Sequence, residues 1–203
     1  SGQIVVGSEG FATNASTTVV KVALGENNNA TGSDVFDLNS DLSVLLIENF
    51  NASGRDLDSL DFSGSAEVDQ LVKQSGRYAD GSATAKLTYS SGHLVGDESG
   101  ISAAWDLSKV NLLAGNEEGF RIDASAETGQ TGTISAYITG EGSIEFAGGT
   151  ITLNHANDYT GSTNVTGGEL VLAVNEALGN TKVLDISSGN VAIGGTTQTI
   201  GAI

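Results

Sequence analysis

A chain of 203 residues makes one sizeable domain or two small ones, and an apolar content of 38% supplies a core. Aromatics make up only 5%, so that core must be built from Val, Ile, Leu and Ala. The 25 acids against 8 bases, a net charge of −17, exclude nucleic acid and anionic lipid as partners, because too few Lys and Arg are present to displace counterions from phosphates.

The same acidity keeps a protein soluble at high local concentration; its functional counterpart is a surface for cations or basic partners. Glycine is abundant, at 28 residues, and proline is absent. The glycines fall between short β-branched runs, the layout of many short strands joined by tight turns. The absence of cysteine suits a chain that crosses an oxidising compartment unfolded, since no disulfide can trap it.

Taken in order, SGQIVVGSEG has neither a basic start nor a long apolar centre. It is not a signal peptide and is expected to be the edge of a piece of something longer. Strand signals follow in QIVVG (3–7), TTVVKVAL (17–24) and SVLLIENF (43–50). LSVLLI (42–47) is strand-sized, far short of the ~18 apolar residues of a membrane helix. AEVDQLVKQSGRYADG (66–81) reads either as a short helix, with Val68, Leu71 and Val72 near one face, or as a strand and loop. Further strands are expected in ATAKLTYS (83–90), FRIDAS (120–125) and GTISAYI (132–138).

From residue 140 the pattern becomes repetitive. SIEF (143–146), TITL (150–153), STNV (162–165), ELVL (169–172), VLDI (183–186), VAI (191–193) and QTI (198–200) alternate with the corners GEG, AGG, TGG, SSG and IGG. Alternation puts Ile144, Phe146, Ile151, Leu153, Leu170 and Leu172 on one face. Strands this short bury one apolar face by winding into a coil whose stacked rungs share a long core. Glycine at the corners supplies the positive φ that β-branched residues do not adopt. The expected fold is all-β, a right-handed parallel β-helix. At ~20–25 residues per rung, uniform winding of the whole chain gives about nine rungs.

Here a family resemblance enters. GEGSIEFAGGTITLNHANDYTGSTNVTGGELVLAVNEALGN, with LDISSGNVAIGGTTQTIGAI after it, resembles the autotransporter passenger-associated repeat over Gly140 to Ile203. The DYTG corner, the following T-x-V-x-G-G-x-L, the ALG corner and the closing TQTIG carry the likeness. Glu145 in GSIEF, and His155 and Asp158 in HANDY, depart from the usual pattern. The resemblance implies a surface protein of Gram-negative bacteria, exported through periplasm and outer membrane, whose membrane barrel lies C-terminal to the passenger.

Candidate chemistry is thin. Asp56, Asp58 and Asp61 in DLDSLD resemble a cation loop, but the glycine and glutamate positions of a calcium loop are not filled, and a solvated face is the plainer reading. His93, in what reads as a turn, and His155, on a motif corner, are expected on the surface, with no G-x-S-x-G elbow; GDESG (96–100) has the wrong spacing. A polysaccharide hydrolase needs two carboxylates at a set separation, which 25 acids do not exclude. A uronate lyase would want a base beside them, and Lys21, Arg55, Lys73, Arg77, Lys86, Lys109, Arg121 and Lys182 are scattered. Trp105 reads as a rung-packing or cap residue. GENNNATGSD (25–34) reads as a solvated loop or as a polar ladder whose Asn and Thr bond along the stack and outward. The sequons at Asn14, Asn29, Asn51 and Asn164 are short patterns of the kind that arise by chance in an Asn/Thr-rich chain.

No catalytic, cofactor or metal residue is assigned, and the binding residues are not read from sequence. Residues 1–139 are expected to form rungs with longer loops and a ligand- or self-binding surface; residues 140–203 are expected to act as a folding nucleus. The expected function is adhesion without catalysis, as a bacterial cell-surface fragment. The partners expected are a second copy, a host or matrix protein, or a glycan, with no direct membrane insertion by this fragment. The alternatives are a structural stalk and a polysaccharide-active enzyme. Residues 1–139 hold 19 acids and 7 bases, and residues 140–203 hold 6 and 1, so two copies side by side repel through water. The Debye length falls from about 30 Å at 0.01 M salt to about 8 Å at physiological strength. Self-association is therefore expected to strengthen over that range, and further at mildly acidic pH, in sedimentation measurements. Weakening with added salt would contradict it.

Overall fold

The computed structural model describes residues 4–5, 19–22, 29–31, 42–48, 51–54, 57, 61–64, 67–74, 83–115, 118–124 and 131–203. These residues form strands and turns, with no helix among them. In chain order the strands are β1 (Ile4–Val5), β2 (Val19–Val22), β3 (Asn29–Thr31), β4 (Leu42–Glu48), β5 (Asp61–Gly64), β6 (Glu67–Lys73), β7 (Ala85–Gly96), β8 (Gly100–Leu112) and β9 (Phe120–Asp123). There follow β10 (Thr131–Ile134), β11 (Tyr137–Gly140), β12 (Ile144–Gly148), β13 (Thr150–Leu153), β14 (Thr163–Val165), β15 (Glu169–Leu172), β16 (Leu184–Ile186) and β17 (Asn190–Ala192). The segment 66–81 thus supplies a strand, and QTI (198–200) lies in coil.

The chain forms two compact units, and among the described residues it passes between them within β6, after Val68, within β7, after Thr88, and within β8, after Leu107. In the first unit β1 pairs with β4 and β2 with β5, both parallel. β4 runs antiparallel to β8, with Leu42 opposite Trp105 and Glu48 opposite Gly100. Uniform parallel winding would not produce that pairing. β7 and β8 neighbour each other across the short GDESG connection, where the Asp97 carboxylate accepts from the amides of Ser99 (2.7 Å) and Gly100 (3.0 Å). His93 lies inside β7, not in a turn; Ser91 at φ +56° supplies the local irregularity. Trp105 is fully buried and packs as a core residue, as are Ala103, Ala104 and Ile101. Ala52 and Ile101 form a small apolar cluster with Leu46, Leu57 and Leu94.

The second unit contains the solenoid. β9, β12, β14 and β16 form one parallel sheet and β10, β13, β15 and β17 another. Phe120, Ile144, Thr163 and Leu184 stand in one column, and Thr131, Thr150, Glu169 and Asn190 in a second. Each rung takes roughly 20 residues. The third side carries β11, which is parallel to β8. Beyond it the backbone continues rung on rung: Thr160 N donates to Gly140 O (2.9 Å), Lys182 N to Gly161 O (3.0 Å) and Gly201 N to Thr181 O (3.0 Å). The regular stack makes about three turns, fewer than uniform winding of the whole chain would give. Residues 85–112 are part of the reason, because they fold back as β7 and β8.

Ile144, Phe146, Ile151, Leu153, Leu170 and Leu172 are all at most 1% exposed, as their alternation requires. Rungs can stack this closely only where corners carry no side chain. Gly149 and Gly168 sit in register at φ +71° and +70°, and a Cβ on Gly168 would strike the Gly149 backbone. Each unpaired carboxylate placed in this core costs roughly 3–5 kcal/mol. Ile151→Asp and Leu170→Asp are expected to expose neighbouring rungs towards residue 118, as well as their own, to limited proteolysis. Sensitivity confined to the mutated rung would show that rungs fold independently.

Candidate functional site

The outward residues of the first solenoid sheet form a register column of their own: Arg121, Glu145, Asn164 and Asp185. In β12 and β14 the flanking residues turn inward, Ile144 and Phe146 around Glu145, Thr163 and Val165 around Asn164. The column is therefore a direct result of period-2 alternation repeated once per rung. Around it lies a groove of about 590 Å³, lined by Glu118, Glu145, Ser162, Asn164, Thr166, Lys182, Val183, Asp185 and Ser187. Among the described residues the lining holds three carboxylates, one ammonium group, hydroxyls and an amide, with no aromatic ring and no histidine.

Several of these groups are held in place. The Thr166 hydroxyl donates to the Glu145 carboxylate at 2.7 Å. Ser162 N donates to the Ser143 hydroxyl at 3.1 Å, and Ser187 N to Val165 O at 3.1 Å. At the β9 end Arg121 pairs with Asp123 at 3.1 Å. Gln74, itself buried, closes that edge of the sheet. Its side-chain amide donates to Arg121 O (2.6 Å) and accepts from Arg121 N (2.8 Å), as a neighbouring strand would.

Beneath the groove floor runs a buried chain of hydroxyls. Tyr159 Oη bonds Thr163 Oγ1 at 2.7 Å, and Thr163 Oγ1 bonds Thr181 Oγ1 at 2.9 Å. Thr181 in turn donates to Gly161 O at 3.0 Å. Burial pushes the Tyr159 phenol well above its ordinary range, so it stays neutral and can donate. At the adjoining corner Asn157 spans three rungs: Ile138 N donates to its Oδ1 (2.8 Å) and its Nδ2 donates to Ala177 O (2.6 Å).

The other residues singled out by sequence lie apart from the groove. His155 is exposed, its Nδ1 2.6 Å from Ala156 O and its ring tilted against Tyr137 with centroids 5.5 Å apart. Asp158 is held below the usual carboxyl range by the Thr139 hydroxyl and then by Tyr137, whose phenol is raised in turn by Asp158. The Thr88 hydroxyl, then Lys86, lowers the Asp69 carboxyl; the Lys86–Asp69 pair (3.0 Å) is partly exposed. Such a pair contributes less than about 1 kcal/mol. His93 Nδ1 lies 2.8 Å from Ser91 O. Asp56, Asp58, Arg55, Arg77 and Asn14 lie outside the described residues, as does most of GENNNATGSD, of which only the backbone of β3 is placed, parallel to β6. Among the described residues no three His, Cys, Asp or Glu side chains converge as metal ligands would.

The groove was not singled out in sequence because its lining runs from Glu118 to Ser187. The signal that finds it is the rung period, which brings Glu145, Asn164 and Asp185 into phase.

The chain is similar to part of an uncharacterized Escherichia coli protein. It is 33% identical over 109 residues to the "Uncharacterized protein YuaQ" of strain K12. The match takes in 51% of this chain and 8% of that protein, so the chain spans a small part of the relative's length. No family model matches the chain, and no solved structure does.

The hydroxyl chain under the groove gives a pH-dependent test. An unfolded tyrosine ionises near pH 10, while the folded Tyr159 does so only above that. The unfolded state thus loses its proton first, and this group's contribution to stability falls as pH rises past about 10. Tyr159→Phe is expected to cost about 1 kcal/mol at pH 7 through the lost hydrogen bond. It is also expected to lose less stability between pH 7 and pH 11 than the parent. Denaturant titration at both values checks this; equal alkaline losses would contradict it.

Proposed function

We propose that this chain is a segment of a bacterial cell-surface autotransporter passenger that acts by adhesion, through the lateral face of its stacked rungs. The observation that carries the reading is the in-register polar face along β9, β12, β14 and β16, hollowed into a groove that crosses successive rungs. A face of this kind presents hydrogen-bonding groups at the repeat of the ladder, about 4.8 Å, which suits extended contact with a partner surface. The residues that carry the passenger-repeat likeness also have structural work at rung corners. Asn157 of NDYTG bridges rungs, the Tyr159 hydroxyl ties its corner to Thr163 of the same turn, and Gln198 of TQTIG accepts from Leu178 N (3.1 Å) and donates to Val174 O (2.9 Å). The similarity to a small part of a bacterial protein supports a role as one segment among others, and gives no activity.

On this reading the function is binding, not catalysis, and the partner is a second copy or a host or matrix component. The test uses beads coated with the 203-residue chain. They are expected to clump with one another or to adhere to matrix-coated or cell surfaces above uncoated beads. Beads inert in both assays, at low and physiological salt, overturn adhesion and leave a stalk.

A further inference from the structure

The geometry points to a polycationic ligand for the groove: an extended protein segment with Lys or Arg at every third residue, lying across the rungs. The inference rests on the adhesive reading of this face and deepens it by naming the partner's chemistry.

Charge sets the class. Among the described residues Glu118, Glu145 and Asp185 face the cavity against one cation, Lys182, so this lining is net negative, within a chain of net charge −17. A basic ligand gains from that field, and a second acidic copy does not. Placement then selects among cations. The carboxylates are spread over different rungs, and no three acidic or histidine side chains among the described residues converge on a point. A single metal ion needs several oxygens at one point. Charges spread along a ladder suit a ligand whose own charges are spread.

Spacing selects the conformation. Glu145 and Asp185 stand two ladder steps apart in the same column, with Asn164 between them. Two steps span roughly 9.6 Å. Side chains on one face of a β-strand repeat every ~6.7 Å, which does not match. A polyproline II segment rises ~3.1 Å per residue with three residues per turn, so every third side chain returns to the same face after ~9.3 Å. Among the described residues the lining has no aromatic ring on which a sugar would stack, which ranks a neutral glycan behind a basic peptide.

The test is titration of the 203-residue chain with an acetylated, amidated peptide of four Lys-Pro-Pro repeats. A peptide of the same composition with contiguous lysines and a Gln-Pro-Pro counterpart serve as comparisons. The Lys-Pro-Pro peptide is expected to bind best, and less tightly as salt rises from about 0.01 M to physiological strength. Glu145→Gln and Asp185→Asn are each expected to weaken it about two- to fivefold, the range of one exposed charge pair. Lys182→Gln is expected to tighten it, and Glu169→Gln, on the other solenoid sheet, to leave it unchanged. The Glu→Gln and Asp→Asn changes are near-isosteric, and in Glu145→Gln the new amide oxygen can still accept from the Thr166 hydroxyl. No binding, equal binding of the Gln-Pro-Pro peptide, equal binding of the block peptide, or indifference to the three groove substitutions overturns the proposal. If beads adhere while peptide binding ignores the groove, this assignment falls and adhesion stands. If the peptide binds through the groove while beads stay inert, adhesion falls and the ligand class stands.

Discussion

Hydrogen bonding between parallel rungs, one strand spacing apart, is the constraint to which the rest of the solenoid answers. Each strand is only three to five residues long, too short to hold a sheet by itself. Stacking satisfies its backbone and buries its apolar face in one step, so neither gain is available without the other. The close spacing dictates the corners as well. Gly149 and Gly168 lie one above the other because a side chain at either level would meet backbone. The same spacing makes inward polar residues affordable where they bond to the next rung, as Asn157, Thr163 and Thr181 do.

Open strand edges invite unwanted pairing, and exposed corners need partners for their backbone. Two glutamine side chains stand in for missing backbone. Gln74 presents its amide to Arg121 on β9, and Gln198 presents its amide to Val174 and Leu178 at a corner of the later rungs. Glu176 adds a further tie, accepting from Thr199 N and its hydroxyl. Around β16 and β17 apolar surface remains open, with Ile186 at 43% and Ile193 at 47% exposure.

The outward face inherits its order from the inward one. Alternation that sends Ile144 and Phe146 inward sends Glu145 outward, and the ladder then aligns Glu145 with Asn164 and Asp185. A functional surface on such a scaffold is written once per rung, by residues free to vary because packing does not use them. This separates the two kinds of substitution: inward changes act on packing and folding, and outward changes act on the charge and polarity of the face.

Much of the solenoid is determined by local sequence. The apolar face of Ile144, Phe146, Ile151, Leu153, Leu170 and Leu172, and the glycine corners between, follow from period-2 alternation and positive φ, both local properties. Other features were decided by tertiary structure. Alternation is the same in parallel and antiparallel strands, so the sequence of 83–112 does not distinguish a rung from the fold-back of β7 and β8, and GDESG is as ordinary a turn as any corner. QTI alternates like a strand, yet its place in the stack is held by Gln198 and by Gly201, outside any strand. The groove needs residues from Glu118 to Ser187 at one place, a proximity set only by the number of residues in each turn of the coil. Local sequence determines which side chains face in; the winding of the chain decides which of the others become neighbours.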